Sequence, residues 1–265
     1  MMRSVYLKTL YDKRWFIFGW TLGLMALTAL MVVFYPAMHQ DGSLDALVKN
    51  MPPAFQGLVG NLADLNSFDT YLASQLFDIR MPLIAGIMAI ILALGLSTAE
   101  EERGELRTLL SLPLSRVKLL FEKWLALCTI MAVTVLGVVA AVYSMGPFID
   151  GGTIDLTALL GLVFMTWLIM VVFGTVTLAA GFATGSRAAA NTFSILIVIG
   201  SFILTTFGQA VDWLQDFDKF SLLHYFPAVD IVKNGINLMD VVVFSLVIII
   251  SLAVAVFVFR RRDIA

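Results

Sequence analysis

The sequence predicts an all-α membrane protein with six transmembrane helices. The chain has 265 residues, of which 60% are hydrophobic and only 14% are charged, whereas about a quarter of the residues of a soluble domain are charged. A transmembrane helix needs about 20 predominantly apolar residues. Six stretches meet this requirement, at approximately 15–38, 76–99, 124–143, 156–183, 188–208 and 241–259.

The six apolar stretches leave no room for a second folded domain, so we interpret residues 1–265 as a single transmembrane domain. Strands of a membrane β-barrel would alternate polar and apolar residues over about ten positions, and these stretches do not alternate. The first stretch is too long for a signal-peptide core and lacks a clear small-residue cleavage site. We therefore expect it to be retained as the first span.

The distribution of basic residues predicts the orientation. Six spans place both termini on one side, and 13 of the 17 Lys and Arg residues fall on that side. Basic residues collect on the cytoplasmic side of membrane proteins. We therefore expect both termini and the segment between the second and third spans to be cytoplasmic. The four basic residues of the opposite side are Lys49, Arg80, Lys219 and Lys233.

Residues 1–14 precede the first span and mix aromatic and aliphatic side chains with four basic ones. This pattern predicts a helix that lies in the headgroup layer of the membrane. The alternative is an ordinary positive flank that only sets the orientation.

The first outer loop, 39–75, is long, and Pro52 and Pro53 divide it, so we expect two short helices there. The loop is either a solvated cap or the rim of a substrate exit. Arg80 follows it, and we expect this arginine to pair with an outer aspartate or, as the alternative, to contact substrate.

The outer segment 209–240 predicts a short amphipathic or re-entrant helix before the sixth span. Trp213, Leu214, Phe217 and Phe220 recur at helical spacing, and aromatic residues of this kind anchor segments at the membrane interface. We expect Pro227 to close this helix.

Several kinds of chemistry lack their motifs in this sequence. No P-loop, no HExxH zinc motif and no GxSxG nucleophile elbow is present. The single Cys128 excludes a disulfide framework within the chain. The span centres hold almost no ionisable residue, which disfavours an ion-driven transporter. We expect no enzymatic activity, no cofactor or metal bound by this chain, and no nucleic-acid partner.

The most informative segment is Glu100–Lys123, a charged stretch between two apolar runs that cannot enter lipid. Residues 100–110 are long enough for about three helical turns, with Leu106, Leu109 and Leu110 on one face. Pro113 ends such a helix, and Ser115 is placed to cap the next one. The alternative is a merely solvated loop.

This segment resembles the ABC-2 type permeases. That family has an E-x-x-G element, a leucine-serine-x-proline step, an S-R pair and a lysine that opens the next span. The corresponding stretches here are Glu101–Gly104, Leu109–Arg116 and Lys123. In such permeases the segment forms a coupling helix that docks on the ATPase. The residues that the resemblance and the amphipathic pattern assign to this coupling site are Glu101, Glu102, Arg103, Gly104, Glu105, Leu106, Arg107, Leu109, Leu110, Pro113 and Arg116.

The resemblance implies a permease subunit of an ABC exporter in the bacterial cytoplasmic membrane. It implies a second copy or a sister permease, and separate ATP-binding-cassette subunits that bind ATP and Mg²⁺. The Met51–Phe55 stretch is similar to a subgroup of drug and antibiotic exporters, so a drug, an antibiotic, a lipid or another amphiphile is the expected substrate. The alternative function is a non-transport sensor or assembly factor that docks a soluble partner through the same segment.

Overall fold

The computed structural model describes residues 4–39, 67–78, 80–104, 115–149, 152, 154–208 and 217–262. These residues form helices joined by turns, with no strand among them, which confirms the all-α prediction. The helices are α1 (Val5–Asp12), α2 (Arg14–His39), α3 (Phe68–Leu72), a π-helical segment (Ala73–Phe77), α4 (Arg80–Leu96), α5 (Thr98–Glu102), α6 (Arg116–Met145), α7 (Leu156–Thr184), α8 (Arg187–Gly208), α9 (Ala228–Asn234) and α10 (Leu238–Arg261).

Among the described residues, six helical stretches are long and apolar enough to cross a membrane, which is the number predicted. We name them spans 1 to 6 in chain order. Span 2 combines α3, the π-helical segment, α4 and α5, and span 3 combines α6 with a 3₁₀ turn (Gly146–Phe148). Each other span lies within one long helix. The six are Arg14–Pro36, Phe68–Glu102, Arg116–Phe148, Leu156–Thr184, Arg187–Phe207 and Leu238–Arg261.

Span 4 lies at the centre of the bundle and packs against spans 2, 3, 5 and 6. Its buried residues occur on every side of the helix, as expected for a helix that is apolar all round. Span 1 lies at the periphery and packs on span 3, where a Cβ added at Gly137 would stand 2.7 Å from Cγ2 of Thr21. Helices that approach this closely need a residue without a side chain at the contact.

Span 2 begins at Phe68, eight residues before the predicted start, so the end of the expected outer loop is helical instead. Ser67 caps the helix by accepting a hydrogen bond from the Thr70 amide, at 3.4 Å. Tyr71 is almost fully buried and donates its hydroxyl to the Met31 carbonyl at 2.9 Å. Because this stretch contains polar residues, its sequence predicted a loop. The structure shows a helix that packs against Tyr35 of span 1.

Arg80 donates to Gln75, at 3.1 Å to the side-chain oxygen and also to the backbone carbonyl. No ion pair joins Arg80 to an aspartate among the residues that the structure describes. The outer-loop residues Asp41, Asp45 and Asp64 lie outside the described residues, so pairing with one of them stays a prediction.

Span 3 begins at Arg116, eight residues before the predicted start. Ser115 accepts a hydrogen bond from the Lys118 amide at 3.2 Å, which confirms its expected role as the N-cap. The predicted start marked where the charges end rather than where the helix begins. The helix therefore extends into the charged segment.

The outer segment before span 6 differs from the predicted amphipathic helix where the structure describes it. Residues 218–225 form two 3₁₀ turns, and Phe217 and Phe220 are exposed. Ser221 holds the turns in place by donating to the Ser201 carbonyl of span 5 at 2.8 Å. Pro227 precedes α9 instead of closing a helix. Trp213 and Leu214, and the two short helices expected around Pro52, lie outside the described residues.

The stretch before span 1 forms the helix α1, which lies beside the start of span 3, where the Tyr6 amide donates to Glu122 at 3.1 Å. Its position in the headgroup layer stays a prediction. The sequence places Gly19 and Gly23, and likewise Gly181 and Gly185, four positions apart, a spacing that can allow close approach of helices. Gly181 packs within the bundle, since an added Cβ would lie 2.3 Å from Oγ of Ser97. Gly19 and Gly23 have no atom within 4 Å of an added Cβ among the described residues. Close helix packing inside the chain thus accounts for Gly181 but not for Gly19 and Gly23.

Candidate functional site

The candidate site is the end of the bundle where spans 2, 4 and 6 finish and spans 3 and 5 begin. We call it the charged end. Span 2 delivers three consecutive glutamates to it, Glu100, Glu101 and Glu102, and each contacts a basic residue of a different span. The charged end also contains both described flanks of the segment that joins spans 2 and 3.

The local fold of span 2 explains how the three glutamates are presented. Ser97 leaves the helical backbone region, with φ −112° and ψ −87°, and this break separates α4 from the single turn α5. Such a departure from the hydrogen-bond ladder is a recognised cause of a helix bend. Because Gly181 of span 4 allows Ser97 to approach closely, the break is packed against the core.

Lys123 of span 3 pairs with Glu100, with 2.5 Å between Nζ and Oε2. The ammonium also donates to the Leu96 carbonyl at 2.6 Å, and the lysine is fully buried. A buried charge without partners would cost several kcal/mol, and here two oxygens of span 2 surround it. The pair therefore fixes the start of span 3 to the end of span 2.

Arg262, just after span 6, binds Glu101 with two guanidinium nitrogens, one of them at 3.2 Å. The same guanidinium donates to the Phe182 carbonyl of span 4 at 3.1 Å. Planar two-nitrogen contacts with a carboxylate are strong and directional. Gly185 lies against this guanidinium with φ +63°, a backbone conformation that also favours glycine. Arg262 thus joins spans 2, 4 and 6.

Glu102 forms the loosest of the three pairs, 3.9 Å from Arg187 at the start of span 5, and both side chains are about half exposed. Arg116 lies on the other flank of the joining segment. It donates to the carbonyls of Phe259 at 2.9 Å and Arg262 at 2.5 Å. Both flanks of the segment 103–115 are therefore attached to the last turn of span 6.

The sequence assigned eleven residues to the coupling site, and the structure describes five of them. Glu101, Glu102 and Arg116 make the interhelical contacts given above. Arg103 and Gly104 are exposed at the end of span 2. The remaining six, Glu105, Leu106, Arg107, Leu109, Leu110 and Pro113, lie outside the described residues.

The helix predicted from Glu100 to Leu110 is wrong in its described part, because α5 ends at Glu102. Gly104 has φ +73°, and its amide donates to the Glu101 carbonyl at 3.0 Å. A glycine in the left-handed conformation after the last turn is a common helix ending. Glycine at this position therefore ends the helix rather than permitting a bend within it.

Sequence reasoning did not assign Glu100, Lys123, Arg187 and Arg262 to the site. A usable signal was present, since three adjacent carboxylates at one span end require basic partners at the neighbouring ends. The pairing itself depends on which spans are neighbours, and the apolar pattern does not specify that. Among the described residues, no group of three or more His, Cys, Asp or Glu side chains is arranged to hold a metal ion.

The buried Lys123–Glu100 pair generates a prediction about stability. Lys123→Met and Glu100→Gln should each lower the free energy of unfolding by about 3 kcal/mol, because each leaves the remaining charge without its opposite charge in a poorly solvated site. The double variant should lose less than the sum of the two, by about 1–3 kcal/mol. Denaturant titration of the purified protein in mixed micelles measures all three values.

Lys118→Met provides the control for this cycle, because Lys118 is exposed and lies 3.9 Å from Glu122. Exposed pairs contribute about 0–1 kcal/mol, so this variant should remain near the parent. Strict additivity of Lys123→Met and Glu100→Gln would show that the two side chains do not stabilise one another.

Comparison with protein-family models matches residues 18–264 to a family described as ABC-2 family transporter protein. No curated protein matches the chain. The family match covers span 1 from residue 18 onward, all of spans 2 to 6 and the charged end. The chain belongs to the ABC-2 transporter family of membrane proteins.

Proposed function

We propose that this chain is the permease subunit of an ATP-driven exporter, with ATP and Mg²⁺ bound by separate ATP-binding-cassette subunits. The observation that carries the proposal is the attachment of both flanks of the 103–115 segment to the charged end. Glu101 and Arg116 bring the two flanks to the last turn of span 6. Family membership supports the assignment to an ABC transporter.

The contacts at the charged end provide a physical route by which the action of the partner ATPase is coupled to movement of the spans. A partner that pulls or pushes the 103–115 segment acts on Glu100, Glu101 and Glu102, which contact spans 3, 6 and 5. Contacts with buried or half-buried charges cannot be stretched without exposing unpaired groups, which is costly. The four spans would therefore move with the segment rather than independently of it.

We further propose that the substrate is an apolar or amphiphilic molecule. The polar groups of the spans are mainly hydroxyls, and many of them donate to the carbonyl four residues earlier in their own helix. Thr28, Thr166, Thr177 and Ser194 do so at 2.7–2.8 Å. Hydroxyls bonded in this way are satisfied within the helix. The span centres hold almost none of the charged groups that a hydrophilic substrate or an ion would require.

The proposed orientation places the charged end in the cytoplasm of a bacterial cell, together with both termini. In a background with Cys128 replaced by Ser, a cysteine at Phe148 should react with a membrane-impermeant thiol reagent in intact cells. Phe148 lies at the opposite end of the bundle and is 85% exposed. A cysteine at Lys118, which is also exposed, should react only after the cells are opened.

The same two cysteines supply the control for accessibility, since both should react in detergent solution. If Lys118→Cys were labelled in intact cells and Phe148→Cys were not, the orientation would be the reverse of the proposed one.

Docking of the ATPase generates a second prediction. We propose Leu109 and Leu110 as apolar anchors, because a few buried apolar side chains supply most of the energy of a helix or loop docked in a groove. Leu109→Ala/Leu110→Ala should reduce recovery of the ATPase in co-purification by about tenfold or more. Arg107→Gln is the matched control and should change recovery less than threefold, because rim charges contribute mainly to association rate and specificity.

Recovery is measured by quantitative co-purification in mild detergent, with the amount of folded permease determined by size-exclusion chromatography. Equal recovery of the ATPase by the parent and the double leucine variant would show that docking uses another surface. Failure of the parent to recover any ATPase would contradict the proposed function itself.

A further inference from the structure

A groove of about 910 Å³ lies on the outer surface of the bundle between spans 3 and 6, near the charged end. Its walls are apolar over most of their length, and two arginines stand at one end. We call it the arginine-capped groove. It is lined by Phe121, Ile249, Leu252, Ala253, Val256, Phe257, Arg260 and Arg261.

The structure separates the three consecutive arginines of the C-terminus into two groups. Arg262 turns into the bundle and pairs with Glu101. Arg260 and Arg261 are exposed at the groove, and neither forms an ion pair with a carboxylate among the residues that the structure describes. The guanidinium of Arg261 lies 4.2 Å from the centre of the Phe257 ring, which holds its charge against the groove wall.

The shape and the charge of the groove together indicate its occupant. Ile249 and Arg261 are twelve positions apart on one helix, a distance of about 18 Å at about 1.5 Å per residue. The apolar lining therefore extends from the arginines well into the span. Basic groups between transmembrane helices at the cytoplasmic surface bind anionic lipid head groups.

We propose that the arginine-capped groove binds one anionic phospholipid. Its acyl chain would lie along Phe121, Leu252 and Val256, and its phosphate would contact Arg260 and Arg261. In the proposed orientation this lipid belongs to the cytoplasmic leaflet. The site is separate from the coupling contacts, which use the opposite, inward-facing arginine of the same run.

A soluble partner and a second copy fit the groove less well. A soluble protein would have to enter the hydrocarbon layer to reach Ile249 and Leu252. A symmetric contact between two copies through this groove would bring the same two arginines of each copy near one another, and like charges at an interface are unfavourable. A phospholipid avoids both difficulties, since its chain is already in the membrane.

The test uses the full-length protein in mild detergent and native mass spectrometry with added phosphatidylglycerol or phosphatidylcholine of the same acyl chains. The parent should retain one phosphatidylglycerol with at least about tenfold preference over phosphatidylcholine. Arg260→Gln/Arg261→Gln should weaken phosphatidylglycerol retention by about 10- to 30-fold, since each basic residue near the surface contributes about a fivefold factor.

Two further variants distinguish specific binding of the lipid in the groove from non-specific attraction of an anionic lipid to basic residues. Ala253→Trp fills the groove and leaves both arginines in place, and it should also reduce retention of phosphatidylglycerol by about tenfold. Arg14→Gln removes an exposed arginine of span 1 that does not line the groove, and it should leave retention within twofold of the parent.

Three results would overturn the proposal. The first is equal retention of the two lipids by the parent. The second is an equal loss of phosphatidylglycerol in Arg14→Gln and in the double arginine variant. The third is undiminished retention in Ala253→Trp. Size-exclusion profiles and thermal unfolding identify any variant that is misfolded. Should the double arginine variant misfold, Ala253→Trp and Arg14→Gln still decide the question.

Discussion

The arrangement of this bundle depends on one requirement: the glutamates at the end of span 2 must be paired with basic residues of the neighbouring helices. Three consecutive glutamates there cannot all face water, because α5 is packed against the core through Ser97 and Gly181. Lys123 is fully buried and Arg262 partly so, and each satisfies one glutamate. Removing either partner would leave a poorly solvated carboxylate.

This requirement also determines which helix ends are neighbours. Apolar packing sets the positions of the spans but discriminates weakly between similar arrangements, since lipid is as apolar as the helix surfaces. The directional contacts of Arg262 with Glu101 and with the Phe182 carbonyl specify one arrangement of spans 2, 4 and 6. The same contacts attach the joining segment to the bundle, so the features that define the fold at this end are also those that serve the proposed coupling.

The number of spans and the all-α class follow directly from apolar run length, which reports the thickness of the membrane. The helix ends do not, because polar residues such as Thr70 and Gln75 continue a helix when packing satisfies them. Span 3 shows the same effect at Arg116, whose donors reach backbone carbonyls of span 6. Hydropathy treats such residues as solvent-exposed, so it placed both span starts too late.

The coupling segment illustrates a different limit. Its motif resembles that of the family, but Gly104 follows the last helical position of α5 by two residues and ends the helix, against the continuous helix that the leucine spacing indicated. Periodicity cannot show whether a glycine lies inside a helix or ends it, since the answer depends on φ. Periodicity also could not predict the partners of Glu100 and Glu101, because Lys123 and Arg262 are 23 and 161 positions away in the sequence.

The run of three arginines at the C-terminus combines two roles at adjacent positions. Arg262 contributes to the internal network, whereas Arg260 and Arg261 face the arginine-capped groove. An orientation rule based on counting basic residues gives all three the same weight. The structure separates a residue that joins helices from residues available to a lipid. The helix of span 6 ends at Arg261, and Arg262 follows it with an extended backbone, at φ −74° and ψ 131°, and contacts Glu101.

The central claim is that the Glu101–Arg262 contact transmits movement of the joining segment to span 6. Its most direct test is the number of substrate molecules transported per ATP hydrolysed in vesicles that contain the assembled transporter. Glu101→Arg and Arg262→Glu should each lower this ratio by about tenfold, while the permease remains folded and bound to its ATPase. The charge-swapped double variant, Glu101→Arg/Arg262→Glu, should recover a substantial part of the ratio. An unchanged ratio in both single variants would contradict the claim.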